Sequence, residues 1–233
     1  MKKFSNLYLI MVGGEGKRLR PFTYALPKPL LTANGISPLE YTIKNIRKTN
    51  EKEKIYLSLG YKKKVFKKWI DSKKIKNIFF LEEKIPLGTA GALKKIIKNR
   101  FENVILINGD LFFKINFNKL IEFHLRKKND ATICVKESKI TIPYAILKKN
   151  KEKIFFKEKP TISHKINSGI YILGYNFLKH FFSKNRNRLK FDMPELINEV
   201  KKNKLGIFNV GNKWIDIGNI YDYKKASREI RLW

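Results

Sequence analysis

Short apolar runs alternate with segments of helical spacing through the first half of the chain, and that alternation leaves few folds open. Leu7–Val12, Ile55–Leu59, Asn77–Leu81 and Val104–Ile107 read as strands; Pro38–Lys48, Lys62–Ile70 and a segment beginning near Thr89 read as helices between them. Parallel strands need a long crossover and a helix supplies it, so the pattern predicts an α/β domain with a largely parallel sheet. The second half changes character. Ala131–Val135, Tyr144–Leu147, Lys153–Phe156 and Ile166–Leu173 read as strands with turn signals and no long helix between the middle ones, which a mixed sheet accommodates. Tyr175–Phe182 and Pro194–Lys202 read as helices, the second with Asp192 as N-cap. Leu205–Val210 is a short strand and Ile220–Arg231 a closing helix. No linker, low-complexity tract or repeat divides residues 1–233, so a single domain is expected.

Composition narrows the classes of function. With 43% hydrophobic residues, 17 of them Phe, the chain has material for a packed core, which excludes disorder despite the charge. Its one cysteine, Cys134, excludes a disulfide framework and a Cys-cluster metal site, and lies in a strand-like run as a small core residue. No apolar run approaches the roughly 18 residues that span a bilayer. The opening Met-Lys-Lys-Phe-Ser-Asn has the charge of a leader, but the apolar stretch after it ends in glycines without a cleavage pattern, so a cytoplasmic location is expected. A net charge of +31 invites nucleic acid or anionic membrane as partner. Lys supplies 42 of the 51 basic residues, however, whereas phosphate- and base-reading surfaces lean on the Arg fork. The densest run, Tyr61–Ile70, places Val65, Phe66, Trp69 and Ile70 on one helical face and lysines on the other, as a surface helix packed on a sheet does. Attraction for anionic substrates is expected, with no nucleic acid and no stable membrane insertion; no feature fixes an oligomeric state.

Chemistry concentrates after the first strand, in Gly13-Gly14-Glu15-Gly16-Lys17-Arg18-Leu19-Arg20-Pro21. Glycines there let backbone N–H groups approach phosphate oxygens without a Cβ in the way, and the arginines add charge. The stretch is neither a Walker A loop nor the dinucleotide fingerprint, and a glycine turn after a strand is by itself as often structural as functional. Further on, Lys28 stands between Pro27 and Pro29, whose stiff backbone aims its ammonium at a fixed point. Alone it also reads as a surface lysine in a Pro-bounded loop.

Together these residues resemble one family. Gly-Gly-x-Gly-x-Arg-Leu-x-Pro-x-Thr-x-x-x-Pro-Lys-Pro-Leu, from Gly13 to Leu30, is similar to the signature of the sugar-1-phosphate nucleotidyltransferases. Further matches recur in order: Pro86-Leu87-Gly88-Thr89-Ala90-Gly91-Ala92 resembles their second nucleotide loop, and Asn108-Gly109-Asp110 their metal-binding strand end. Glu158-Lys159-Pro160 and Asn167-Ser168-Gly169-Ile170-Tyr171 resemble the sugar-phosphate side, and Trp214-Ile215-Asp216-Ile217-Gly218 the second metal aspartate. The likeness runs from about Leu7 to Ala226 and implies a Rossmann-like mixed sheet flanked by helices.

The resemblance implies attack of a sugar-1-phosphate oxygen on the α-phosphorus of a nucleoside triphosphate, with pyrophosphate leaving. Gly13, Gly14, Gly16, Lys17, Arg18, Gly88 and Thr89 would hold the nucleotide, and Arg18 would steady the pyrophosphate. Lys28 would bridge phosphates at the reacting centre, and Asp110 and Asp216 would hold Mg²⁺. Asn108, Tyr144, Glu158, Lys159, Asn167 and Gly169 would take the sugar phosphate. Without the family, Asp110 also reads as a turn residue and Asp216 as a helix cap.

Glu83, five positions before Gly88, stands where relatives that use uracil or thymine carry Gln. A carboxylate only accepts hydrogen bonds, and guanine offers N1–H and N2–H₂ side by side, so GTP is the expected nucleotide. Glu82 is the other candidate for that role. The acceptor resembles that of a subgroup using glucosamine-1-phosphate to supply GDP-amino sugars for surface polysaccharides, whose members often carry CBS domains ahead of the catalytic domain; with the first strand starting near Leu7, none is expected here. Mannose- or heptose-1-phosphate guanylyl transfer and cytidylyl transfer to a non-sugar phosphate are the alternatives. At Tyr144-Ala145 the chain departs from the Tyr-Gly usual in the family it resembles, so the resemblance implies an added methyl that would narrow the sugar pocket. His124 has no acid–base partner nearby in sequence and reads as a packing or surface residue of its helix.

Overall fold

The computed structural model describes residues 6–233; the basic segment ahead of them, read above as leader-like, lies outside that range. In chain order the elements are β1 (Leu7–Met11), α1 (Phe22–Ala25), α2 (Pro38–Arg47), β2 (Ile55–Leu59), α3 (Lys63–Ser72), β3 (Ile78–Glu82), α4 (Gly91–Ile96), β4 (Asn103–Asn108), β5 (Leu111–Phe113), α5 (Phe117–Arg126), β6 (Ala131–Thr141), β7 (Ile146–Lys149), β8 (Ile154–Lys157), β9 (Thr161–Gly174), α6 (Tyr175–Lys184), α7 (Met193–Asn198), β10 (Leu205–Asn209), β11 (Trp214–Asp216) and α8 (Ile220–Glu229). Seven strands form one sheet in the order β10-β6-β9-β4-β1-β2-β3. β1 runs parallel to β2 and β4, β2 to β3, and β6 to β10, whereas β9 is antiparallel to both β4 and β6. The sheet is mixed, as expected.

Both sheet faces are covered, which is why the central strands are apolar throughout rather than alternating. Tyr8, Ile10 and Val12 point to the face covered by Leu39, Ile43 and Ile46 of α2, Phe66 and Ile70 of α3, and Phe117 and Leu120 of α5. Leu7 and Leu9 point to the other, against Leu93 and Ile96 of α4, Phe181 and Phe182 of α6, and Met193 and Leu196 of α7. α2 starts where Ser37 Oγ accepts the Glu40 N–H at 3.2 Å with Pro38 in the first turn. Cys134 is buried in the core, where burial pushes its thiol up and keeps it inert.

This topology creates the crevice. After β1 the chain crosses by α2 on one face, and before β4 it crosses by α4 on the other. The loops leaving the carboxyl ends of these neighbouring strands therefore diverge, which is where open α/β sheets bind ligands. A third cluster packs Leu19 and Leu31 against Phe112, Ile215, Ile217 and Ala226, tying the glycine loop to the β5–β11 ribbon and α8.

Five elements differ most from the sequence reading. β6 and β9 run well past their expected ends, because their outer halves pair with each other from Lys136↔Ile166 to Thr141↔Thr161 away from the core and so carry no apolar pattern. β7 and β8 sit one or two residues later than expected, set by Asn150 Oδ1, which accepts the N–H groups of Glu152 and Lys153 at 3.0 and 2.8 Å. α7 stops at Asn198, short of Lys202, as Val200 turns into the core and Lys202–Lys204 leads into β10.

Candidate active site

Two adjoining cavities of about 690 and 320 Å³ open at the carboxyl ends of β1, β2, β3 and β4. Gly14, Gly16, Lys17, Thr89 and Asn108 line both. The larger adds Gly13, Tyr61, Glu83 and Gly88; the smaller adds Arg18, Lys28 and Asp110. Most of the nucleotide and catalytic residues expected from sequence thus converge on one cleft.

Lys28 is the centre of charge. Though a lysine, it is only 8% exposed, and its Nζ pairs with Asp110 Oδ2 and lies 3.6 Å from Asp216 Oδ1. Asp110 stands two residues past β4, whereas Asp216 arrives from far along the chain on β11. Antiparallel pairing of β11 with β5 sets Asp216 opposite Leu111, and the Ile217 N–H donates to the Asp110 carbonyl at 3.1 Å. Burial, and secondly the facing Asp110 carboxylate, push Asp216 up to about 6 against the pull of Lys28 and Arg18. One Asp216 oxygen, Oδ1, is buried without a hydrogen-bond partner among the described residues, although the side chain is 41% exposed through the rest of its surface.

The second loop is held by the far side of the cleft. The Phe191 N–H donates to the Leu87 carbonyl and the Ala90 N–H to the Phe191 carbonyl, both at 2.9 Å. Thr89 donates its N–H to Asp192 Oδ1 at 3.0 Å, and its hydroxyl accepts the Met193 N–H at 2.8 Å. Asp192 does occupy the N-cap position of α7, but its carboxylate is turned to Thr89 instead of its own helix. Both polar groups of Thr89 are committed there, so it shapes the cleft wall. Gly88 has φ +77°, and a Cβ on it would meet the Phe191 carbonyl and stand 2.8 Å from Asp192 Oδ1, which leaves glycine as the residue that fits.

Glu83, on the wall of the larger cavity, is held at both oxygens: Ser58 Oγ donates to Oε1 and the Leu87 N–H to Oε2 at 3.2 Å. Glu82, the other candidate, is half-buried outside the lining of the cavity and paired with Lys63 at 2.7 Å and with Lys67, which hold it at about 2.

The sugar-phosphate residues divide. Asn108 lines both cavities, and Gly169 lies against it so closely that a Cβ would stand 2.6 Å from Asn108 Nδ2. Asn167 closes the turn there, accepting the Gly169 N–H at 3.0 Å. Tyr144, Glu158 and Lys159 are carried on the β7–β8 hairpin and its junctions, exposed and outside the lining of either cavity; Tyr144 is 73% exposed. His124 packs, but it is not alone: it is buried between Thr132 Oγ1 at 2.8 Å and Asn103 Oδ1 at 3.1 Å, and burial lowers it to about 4. Sequence spacing hid both partners, since they lie on other strands. Ser58 and Asp192 as supports of the nucleotide loops were likewise hidden; the one signal for Ser58 was a polar residue within an otherwise apolar strand.

A family model described as nucleotidyl transferase matches residues 7–231. D-glycero-alpha-D-manno-heptose 1-phosphate guanylyltransferase of Aneurinibacillus thermoaerophilus is 33% identical over 227 residues, which cover 96% of this chain and 97% of that protein. A mannose-1-phosphate guanyltransferase of Yarrowia lipolytica is 32% identical over 229 residues; the match covers 92% of this chain and 61% of that longer protein. The crystal structure of HddC from Yersinia pseudotuberculosis complexed with GMP-PN superposes with a TM-score of 0.70 at 27% identity, covering 97% of this chain and 99% of that one. Among the described residues no helix is long and apolar enough to cross a membrane.

Proposed function

Since this chain belongs to the nucleotidyl transferase family, we propose that it joins GTP to a hexose- or heptose-1-phosphate, releasing pyrophosphate and a GDP-sugar. The observation that carries the reading is the meeting of Lys28 with Asp110 and Asp216 beside the glycine loop. The relatives named above favour heptose- or mannose-type acceptors over glucosamine-1-phosphate.

An acceptor oxygen, already ionised, bonds to the α-phosphorus as the bond from that phosphorus to the bridging oxygen of the β-phosphate breaks. No general base is needed. Both reactants are anions, so positioning and charge neutralisation dominate. The Gly13–Gly16 loop, Lys17 and Arg18 take the triphosphate, with Arg18 on the departing pyrophosphate and Lys28 at the reacting phosphates. Asp110 and Asp216 suit Mg²⁺: two carboxylates leave room for phosphate oxygens and water, and Asp216 Oδ1 is a buried acceptor lacking a donor. Mg²⁺ held there would draw electron density from the α-phosphate and orient it. Gly88 and the Thr89 wall shape the nucleotide side. Asn108, Asn167 and Gly169 form the acceptor side; Tyr144, Glu158 and Lys159 are assigned to the sugar phosphate by their motifs and lie on the hairpin outside both cavities. Glu83 supports guanine, because its carboxylate faces the cleft as a pure acceptor. The same reading places the reaction in surface-sugar supply in the cytoplasm, by a single domain.

The test is pyrophosphate release with Mg²⁺ over GTP, UTP, dTTP, CTP and ATP against heptose-, mannose-, glucose- and glucosamine-1-phosphate, with phosphocholine as the non-sugar control. Turnover confined to GTP with a sugar phosphate is expected. Turnover with another triphosphate would remove the guanine assignment, and turnover with phosphocholine alone would remove the sugar.

A further inference from the structure

β2 reads Ile-Tyr-Leu-Ser-Leu and sits between two other strands, with Ser58 fully buried. A hydroxyl there loses its water and must find a partner. Parallel pairing sets Ser58 opposite Met11 on one side and Leu81 on the other, and neither side chain offers it a hydrogen bond. Its side-chain partner is Glu83 Oε1, one residue past the end of β3. The second oxygen of Glu83 takes the Leu87 N–H from the nucleotide loop. A carboxylate gripped at both oxygens cannot rotate about its terminal bond. Each oxygen keeps a further lone pair for a ligand in the cleft.

We infer that Ser58 is a positioning residue: by fixing the Glu83 carboxylate it presets the two acceptors that read the base, and so sets nucleotide selectivity without touching the nucleotide. The inference rests on the guanine reading of Glu83 given above. An alanine at position 58 would fill the strand equally well as to shape, so fold alone gives no reason for the hydroxyl. A free carboxylate could turn its plane and accept from one donor instead of two, which costs guanine its second bond and costs uracil nothing.

The experiment measures the Kd of GTP and of UTP, each with Mg²⁺ and without acceptor, for wild type, Ser58→Ala, Glu83→Gln and the double variant, with melting temperatures alongside. Ser58→Cys, close in volume and only a weak donor, serves as a second variant at the site. The expected result is a roughly tenfold to hundredfold loss of GTP affinity in Ser58→Ala, the scale of one hydrogen bond to a charged group, with UTP affinity unchanged and a modest fall in melting temperature, because the free protein loses the same bond. In the Glu83→Gln background the same substitution should leave GTP affinity unchanged, since the carboxylate whose two oxygens read guanine is gone, even though the amide oxygen of Gln can still accept from Ser58. Wild-type GTP affinity in Ser58→Ala, where Glu83→Gln does lose it, overturns the positioning role alone. Equal weakening of both nucleotides in both backgrounds also overturns it, as general damage. A Glu83→Gln protein with the wild-type preference overturns the guanine reading itself.

Discussion

Gly14 and Gly16 belong to one loop, yet the structure separates what each is for. A Cβ on Gly14 meets nothing within 4 Å, and the residue lines both cavities. Gly16 has φ +65°, and a Cβ there would stand 2.9 Å from Thr23 Cγ2 and 3.1 Å from Lys28 Cβ. Gly14→Ala therefore leaves the fold intact, and by trimming the unfolded chain's freedom it should stabilise by about 0.4–1 kcal/mol. For a chain of this size that raises the melting temperature by roughly 1–4 °C. On the proposed reading, the new methyl stands where a phosphate oxygen would approach the loop N–H groups. Losing one charge-assisted hydrogen bond, about 1.5–3 kcal/mol, weakens GTP roughly tenfold to hundredfold. Gly16→Ala should behave differently: its left-handed backbone costs about 1–2 kcal/mol with a Cβ, and Lys28 is displaced, so stability and turnover fall together. Calorimetric GTP titration with Mg²⁺ and thermal melts on both variants decide the matter. Unchanged GTP affinity in Gly14→Ala, or a melting loss matching that of Gly16→Ala, would refute the assignment of this loop as a phosphate cradle.

Other outcomes follow from the same geometry. Asp110→Asn should lower kcat by roughly 10²–10³ while retaining part of the GTP binding, and near-normal turnover in a coupled pyrophosphate assay would sink the metal assignment. Asp192→Ala releases the exposed Thr89 N–H to water, so melting should show a loss of only about 0.5–1.5 kcal/mol and KM for GTP should rise more than kcat falls; unchanged kinetics would disconnect α7 from the nucleotide loop. His124 is held neutral in the fold at about 4 against 6.5 when unfolded, so the unfolded chain binds the extra proton between these values. Its contribution is complete above pH 6.5 and disappears as pH falls to 4, about 3 kcal/mol in all. Melting curves across that window should lose this slope in His124→Gln; an unchanged slope would contradict it.

The glycine loop, the Lys28 turn, the Asn108–Asp110 strand end and the β/α alternation were legible in the linear chain, because local backbone demands and burial periodicity write themselves into neighbouring residues. The long β6 and β9 were not, since their outer halves pair in the open and need no apolar pattern. Chemistry split along the same line. That Asp216 is an acid near a tryptophan is a fact of sequence; that it faces Asp110 across Lys28 is a product of the β5–β11 ribbon. Sequence favoured Glu83 and left Glu82 as the alternative; only the tertiary structure separates their surroundings, with Ser58 and the Leu87 N–H holding the Glu83 carboxylate at the cleft wall and Lys63 and Lys67 holding that of Glu82 outside it. His124 looked solitary until Thr132 and Asn103 closed on it from other strands. Residue type and local spacing determined which chemistry the chain can do; which side chains share a desolvated cleft was decided by strand order and helix packing, because those contacts join residues that no periodicity connects.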